Sequence, residues 1–365
     1  MAKTDLGFKA ALAAPVLTMD TPISKEEKFK RIAALAKTLN DKHETTNSLV
    51  RLGDKRGVML PSTPTGLPTV DYELIQTGGI PKGRVIEVFG PESAGKTSWT
   101  LHCIAECQAQ GGVAAFVDAE HALDPNYATV FGVNIDELVV SQPDNGEDAL
   151  DTVDALIESR AADLIVVDSV SALVPKAELA GDIGDSHVGL QARLMSQALR
   201  IITGKASKAG ITVIFINQIR EKIGTMYGNP ETTSGGRALK FYASIRIDVR
   251  RQQTEKHPAI KVGDELIGHT IRLKAVKNKV GVPFREAFVD LYYTSGFDKE
   301  ASLIEYADHR GLFEKSGSWY SIGGERIANG LANLKKTLKD RPEVLAKVKA
   351  EVQKALTADA EVAKQ

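Results

Sequence analysis

Gly90-Pro91-Glu92-Ser93-Ala94-Gly95-Lys96-Thr97 reads G-x-x-x-x-G-K-[ST] without a substitution, and its flanks are those the pattern needs. Arg84 to Phe89 before it is a short β-branched run that reads as a buried strand, and Ser98 to Gln110 after it lacks Pro and Gly and reads as a helix. A strand turning sharply into a helix aims several backbone N–H groups at one spot. The helix N-terminus adds partial positive charge there, so a polyphosphate is well held. Gly90 and Gly95 allow close approach, Pro91 to Ala94 supply the backbone between them, Lys96 reaches the β- and γ-phosphates, and Thr97 offers a hydroxyl to Mg²⁺. The rival reading is a glycine-rich turn that happens to precede a helix. Eight residues in register between the right elements weigh against it. The chain is expected to bind a nucleoside triphosphate.

Outward from this loop, short apolar runs alternate with helical stretches. The runs are Val113–Asp118, Leu138–Ser141, Leu164–Ser169 and Thr212–Asn217, and the helical stretches lie at about 95–110, 146–160 and 189–208. That alternation predicts an α/β fold: a phosphate-loop core on a mostly parallel sheet with helices on both faces. Ligands of such sheets sit at the C-terminal ends of the strands. Three run-ends carry chemistry. Glu120, just past Val117-Asp-Ala, is placed to orient a water for attack on a γ-phosphate. Asp168 ends four apolar residues and would hold Mg²⁺ through water, although a lone Asp also caps helices. Gln218 ends Ile214-Phe-Ile-Asn and would sit beside the γ-phosphate and sense it.

The 365 residues suggest two domains, and 43% hydrophobic with 25% charged residues is ordinary for a globular chain. A net charge of −1 predicts no global affinity for nucleic acid, so any such affinity must be local. Cys103 and Cys107 are four apart on the helix after the loop. Without a second ligand pair they read as small core residues of a reducing compartment rather than half a metal site. No stretch is apolar enough to span a membrane and no signal-peptide core opens the chain, so a cytoplasmic protein is expected.

Residues 1–23 show no period and read as a loose extension. Residues 24–60 form a small N-terminal oligomerisation module: Ser24 to Glu27 cap a helix to about Asn40, and Ser48–Leu52 reads as a brief strand. Too small to fold alone, it must dock on something. Pro61–Pro68 reads as a linker into a core of 61–295, and 296–365 as a small α/β C-terminal domain with a Trp319-Tyr320 hairpin and a helix at about 342–356.

Two loops, at about 180–188 and 219–236, are too long for plain connections. Their glycines, hydroxyls and flanking Arg and Lys suit a phosphodiester backbone; mobile active-site lids are the alternative. The following stretch, 237–285, holds twelve Lys/Arg against four Asp/Glu, which favours a directed polyanion site, although a solvated strand face would also carry such charge.

Taken together, the phosphate loop, Asp118-Ala-Glu-His-Ala-Leu-Asp-Pro125, Val166-Val-Asp-Ser-Val170, Gly184-Asp-Ser-His187, Phe215-Ile-Asn-Gln-Ile-Arg220, Gly228-Asn-Pro-Glu-Thr-Thr233, Lys240-Phe-Tyr-Ala-Ser244 and Val276-Lys-Asn-Lys279 occur in one order. Over about residues 25–345 this resembles the bacterial RecA recombinase family. The resemblance implies a homo-oligomeric helical filament on single- and double-stranded DNA, ATP between subunits, and strand exchange driven by DNA-dependent ATP hydrolysis. It implies that Lys96 and Thr97 bind triphosphate and Mg²⁺, Glu120 is the base, Asp168 supports the metal, and Gln218 couples the γ-phosphate to the DNA loop. Asp124 and Tyr127 would flank the adenine, and Lys277 and Lys279 would reach ATP on the adjacent protomer. Arg193, Arg200, Arg220, Gly235 and Gly236 would lie along DNA, and Phe241 and Lys240 at the protomer interface. The helix at 26–40 would dock on the neighbouring subunit.

Tyr227 stands where the family usually has Phe, which keeps stacking between bases, and Arg237 adds a charge beside the second loop. Two alternatives stay open: a filament that is mainly an ATP-switched scaffold for a self-cleaving repressor, and a ring helicase motor.

Overall fold

Along each central run, alternate residues enter two different hydrophobic layers, which is what a strand covered on both faces requires. Ile86, Val88, Leu164, Val166, Ile214 and Ile216 pack into one layer, and Val85, Ile165, Val167, Val213 and Phe215 into the other. The computed structural model describes residues 23–43, 49, 60–182, 189–221, 231–255 and 257–362.

The strands of the central sheet are β1 (Val85–Gly90), β2 (Ala114–Asp118), β3 (Val139–Ser141), β4 (Leu164–Asp168), β5 (Thr212–Glu221), β6 (Glu231–Thr233), β7 (Ile245–Gln252), β8 (Ile260–Val262), β9 (Glu265–Asn278), β10 (Glu286–Tyr292) and β11 (Gly296–Phe297). Their order is β11-β10-β9-β7-β1-β5-β4-β2-β3, with β8 on β9 and β6 on β5. The pairs from β3 through β7 are parallel. Those made by β6 and by β8 to β11 are antiparallel. The expected α/β core is therefore present, extended by an antiparallel wing that the helix-strand alternation did not announce.

Helix α1 (Lys25–His43) belongs to a separate unit. Within the main unit, α2 (Lys96–Ala109) packs in the first layer, while α4 (Gly146–Ser159) and α5 (Leu190–Ala209) pack in the second. Between them lies the short α3 (Pro125–Val130), and α6 (Ala238–Tyr242) precedes β7. Asn145 starts α4 by accepting from Asp148 N at 2.9 Å, and Glu147 and Asp148 suit the dipole of the first turn.

Pro61–Pro68 is not a simple linker. Ser62–Thr63 pairs with Ile80–Pro81, and Thr65 and Leu67 are fully buried. Composition alone hides this, because the partner strand is formed by a stretch some eighteen residues on. The expected strand at 48–52 lies outside the described residues, apart from Leu49.

After β11, α7 (Lys299–His309), the hairpin strands β12 (Glu314–Ser316), β13 (Trp319–Ile322) and β14 (Glu325–Asn329), α8 (Leu331–Asp340) and α9 (Pro342–Val362) share a core that includes Ile304, Tyr306, Phe313, Leu334, Leu338, Val344 and Val348. The π-helical segment Thr69–Ile75 joins this group to the main sheet: Tyr72 lies 5.6 Å ring to ring from Tyr306, and Thr69 Oγ1 meets Ser302 Oγ at 2.8 Å.

Candidate functional site

The C-terminal ends of β1, β2, β4 and β5 bring together residues far apart in sequence. Gly90 ends β1 so close to β7 that a Cβ there would meet Val249 O at 2.1 Å. Gly95 has φ +93°, and a Cβ on it would fall 2.3 Å from Ile271 Cδ1. Gly90 thus answers to the neighbouring β7 backbone, and Gly95 to its positive φ and to the antiparallel wing behind the loop. Lys96 is buried and donates to the carbonyls of Gly90 (3.1 Å) and Pro91 (2.6 Å), the loop's own backbone. Burial lowers its pKa, while Asp168, Glu120 and Glu92 oppose that shift.

Thr97 Oγ1 donates to Asp168 Oδ2 at 2.7 Å, joining the helix start to the end of β4. Burial pushes the Asp168 carboxyl up to about 6, with the charges of Glu120 and Asp118 adding to the rise. A buried carboxylate beside a hydroxyl at a phosphate loop is a donor set suited to Mg²⁺, which takes few protein oxygens and completes its shell with water and phosphate. Among the described residues no cluster of three or more His, Cys, Asp or Glu could hold a metal by itself.

Glu120 lies just past β2, where Ala119 N and Glu120 N donate to Asp168 O at 2.8 and 3.2 Å and staple the two strand ends together. Its Oε1 accepts from Gln218 Nε2 at 2.9 Å and from Ser169 Oγ. Three sequence-predicted residues, Glu120, Asp168 and Gln218, therefore share one site. Ser169 belongs to the same site, although the sequence pattern assigns it no role. Its position directly after the Asp of the β4 pattern was the available signal.

Tyr127 Oη meets Ser98 Oγ at 2.6 Å, and its ring edges Phe131 at 5.0 Å. With Ser93–Ser98, Arg251, His269, Leu291 and Tyr293 it lines a cavity of about 370 Å³. Asp124 caps α3, accepting from Asn126 N at 2.8 Å, and does not line that cavity. His269 and Tyr293 come from the antiparallel wing and Arg251 from the end of β7 beside it, a connection that sequence patterning does not reveal.

Lys277 and Lys279 sit elsewhere. Lys277 pairs with Arg246, which pairs with Glu87, three residues below Gly90. That is about 10 Å down the sheet and two strands aside. Lys277 Nζ donates to Lys240 O (2.6 Å) and Phe241 O (3.0 Å), and Lys279 Nζ to Phe241 O (3.3 Å). Burial, with Lys279 and Arg246 nearby, brings the Lys277 ammonium down to about 8. Lys240 donates to Thr232 Oγ1 at 2.9 Å, and Phe241 is 69% exposed.

Of the residues expected along DNA, Arg193 and Arg200 project from α5 seven apart and line one open groove with Ser196 and Gln197. Arg220 and Arg237 are exposed, and Tyr227 lies outside the described residues. Gly235 and Gly236 have a packing reason of their own: a Cβ would reach 2.7 Å from Val170 Cγ1 and 2.8 Å from Ala192 Cβ, respectively. Much of the basic excess of 237–285 is neutralised within the sheet. Arg250 pairs with Glu231 and Asp248, Arg272 with Asp248, Lys274 with Glu286, and Arg246 with the fully buried Glu87. The two cysteines are buried, and burial raises both thiols, that of Cys107 to about 11, as suits core residues.

Comparison with known proteins adds an independent line. The RecA N-terminal domain profile matches residues 31–298, and the RecA C-terminal domain profile matches residues 301–357. The chain is 52% identical over 324 residues to "Protein RecA" of Cutibacterium acnes, covering 88% of this chain and 91% of that one. It is 53% identical over 337 residues to the Bifidobacterium breve protein of the same name (91% and 84%). It is 53% identical over 309 residues to that of Staphylococcus aureus strain JH9 (85% and 87%).

Proposed function

The chain belongs to the RecA family, and from that premise we propose how its residues carry out recombination. It is a DNA recombinase and a DNA-dependent ATPase that binds ATP and forms filaments on DNA. In our reading the phosphate loop binds the triphosphate, with Lys96 leaving its two loop carbonyls for the β- and γ-phosphates. Glu120 takes a proton from the attacking water, the γ-phosphoryl is transferred to that water, and ADP departs. Thr97 and Asp168 would hold Mg²⁺, which when bound offsets negative charge on the phosphates. Lys277 and Lys279 serve the ATP of the adjacent protomer, since their end of the sheet is too far from the loop of their own chain. Arg193, Arg200, Arg220 and Arg237 contact DNA phosphates. Tyr127 stacks on the base and Asp124 reaches its edge. Phe241 packs at the protomer interface, and α1 docks on the neighbour. We extend the reading to a cytoplasmic protein of the DNA-damage (SOS) response that also stimulates a self-cleaving repressor; family membership is its support.

The observation that carries this reading is the 2.9 Å bond from Gln218 to Glu120. It ties the proposed base to the strand that leads into the second loop, so DNA there and chemistry at the γ-phosphate share one side chain. The test pairs two variants in ATPase and strand-exchange assays. Glu120→Gln should keep ATP and DNA binding while hydrolysis falls by roughly two to four orders of magnitude. Lys96→Ala should weaken nucleotide binding itself. Hydrolysis near wild type in Glu120→Gln would remove that residue from the role.

A further inference from the structure

Gln191, the second residue of α5, is bound through its side chain to two other segments at once. Its Nε2 donates to Val170 O (2.8 Å) and Leu173 O (3.1 Å), carbonyls of the turn that follows Asp168 and Ser169. Its Oε1 accepts from Gly235 N at 3.2 Å, in the stem that returns from the second loop. One amide therefore uses both donor hydrogens on one turn and its acceptor on the stem. The neighbouring contacts are tight. Ser171 Oγ donates to Ser234 Oγ at 3.1 Å, and the two glycines leave no room for a Cβ against Val170 and Ala192. On the far side of the same turn, Ser169 Oγ holds Glu120, and Asp168 reaches Thr97.

Strand β5 reaches the loop and its stem through Gln218 and through Asn217 Nδ2, which donates to Ser234 O at 3.0 Å. The turn after Asp168 reaches the stem through the Ser171–Ser234 bond and through Gln191. We propose that Gln191 is a positioning residue that locks the stem Ser234–Gly236 and the Arg193/Arg200 face of α5 to the Asp168–Ser169 turn, so that DNA on those elements sets the geometry of Glu120 from the Asp168 side, as Gln218 does from β5. The inference rests on the preceding reading of the ATP and DNA sites. Backbone carbonyls and a backbone N–H are its partners, so no other side chain need change for the clamp to form. A stem that shifts on binding DNA would pull on Val170 O and Leu173 O through the Gln191 amide, alongside the Ser171–Ser234 bond. Partly buried hydrogen bonds of this kind cost free energy to leave unmade, which couples the movements of α5, the turn and the stem.

The coupling can be measured directly, because the factor by which a bound nucleotide raises DNA affinity must equal the factor by which DNA raises nucleotide affinity. Gln191→Leu and Gln191→Met each keep a similar volume and remove all three bonds. Four dissociation constants close the cycle: a fluorescent ATP analogue with and without oligo-dT, and oligo-dT with and without a slowly hydrolysed ATP analogue. Each variant should bind either ligand alone within about twofold of wild type. The coupling factor should drop about tenfold, and turnover on saturating single-stranded DNA should drop by a similar factor. An unchanged coupling factor in either folded variant overturns the proposal. So does failure of both variants to fold, which would make the clamp purely structural. If wild-type protein binds no nucleotide or no DNA, the fault lies with the assignment of the sites and not with Gln191.

Discussion

Thr65 holds two buried titratable groups whose pH responses oppose each other. Its N–H and hydroxyl donate to Asp71, at 3.0 and 3.1 Å from the nitrogen and 2.7 Å from Oγ1, and its carbonyl accepts from His102 Nε2 at 2.8 Å. Burial pushes Asp71 from 3.8 up to about 7 in spite of those bonds, and pushes His102 from 6.5 down to about 4. The raised carboxyl favours the folded state at low pH, and that contribution is lost as pH rises from about 4 to 7. The lowered imidazole favours it above 6.5, and that contribution is lost as pH falls toward 4. At about 1.4 kcal/mol per pH unit, the two effects are of order 4 and 3 kcal/mol and nearly cancel. Asp71→Asn should therefore leave a stability that rises from pH 4 to 6.5, and His102→Gln one that falls from pH 4 to 7. Urea unfolding across that range checks both. Parallel pH profiles for the two variants would contradict the opposition.

Elements decide which subunit a side chain can serve. Register puts Lys277 level with Glu87, three residues before the phosphate loop and two strands aside, where the carbonyls of α6 receive both lysines. The proposed composite site joins Lys96 of one protomer with Lys277 and Lys279 of the next. Filaments mixed from Lys96→Ala and a Lys277→Ala/Lys279→Ala double variant should recover part of the ATPase activity that each lacks alone, because some junctions then hold one complete site. Hydrolysis should also be low in dilute protein without DNA and rise steeply on assembly. No recovery in filaments shown to be mixed would place the lysines within their own chain's chemistry or outside it.

Across the whole molecule, charge is arranged rather than abundant. The net charge is −1, and Arg250, Arg272 and Lys274 are paired inside the sheet, whereas Arg193 and Arg200 form no ion pair among the described residues. Counterion release follows phosphates actually neutralised, at about 0.7 of a unit in the log–log salt slope per contact on single strands. Arg193→Ala and Arg200→Ala should each weaken binding to single-stranded DNA and reduce the slope by about that amount. Lys274→Ala should leave the slope unchanged and act on stability instead. A NaCl titration of oligo-dT affinity separates the cases, and equal slopes for all three variants would refute the division.

Contiguous residues determined the outline of this protein by themselves. Eight in a row specify the phosphate loop, four apolar residues before Asp168 specify its strand, and Glu120 and Gln218 were reachable because parallel sheets gather ligands at strand ends. Such features depend on spacing of a few residues, and the chain's covalent geometry preserves that spacing. Register decided the rest. The bond between Gln218 and Glu120 spans 98 positions, that of Ser169 to Glu120 spans 49, and Gln191 meets Gly235 across 44. None of these pairs has a local signature, since each exists only once β5 lies between β1 and β4 and the two layers have closed over them. The same holds for the basic segment, where a run of positive charge in sequence becomes ion pairs to Asp248 and Glu286 because β7, β9 and β10 fold side by side, and to Glu231 because Arg250 reaches β6, which hangs on β5. A side chain's type is written in the chain, but its partner is chosen by packing at distances no sequence period encodes.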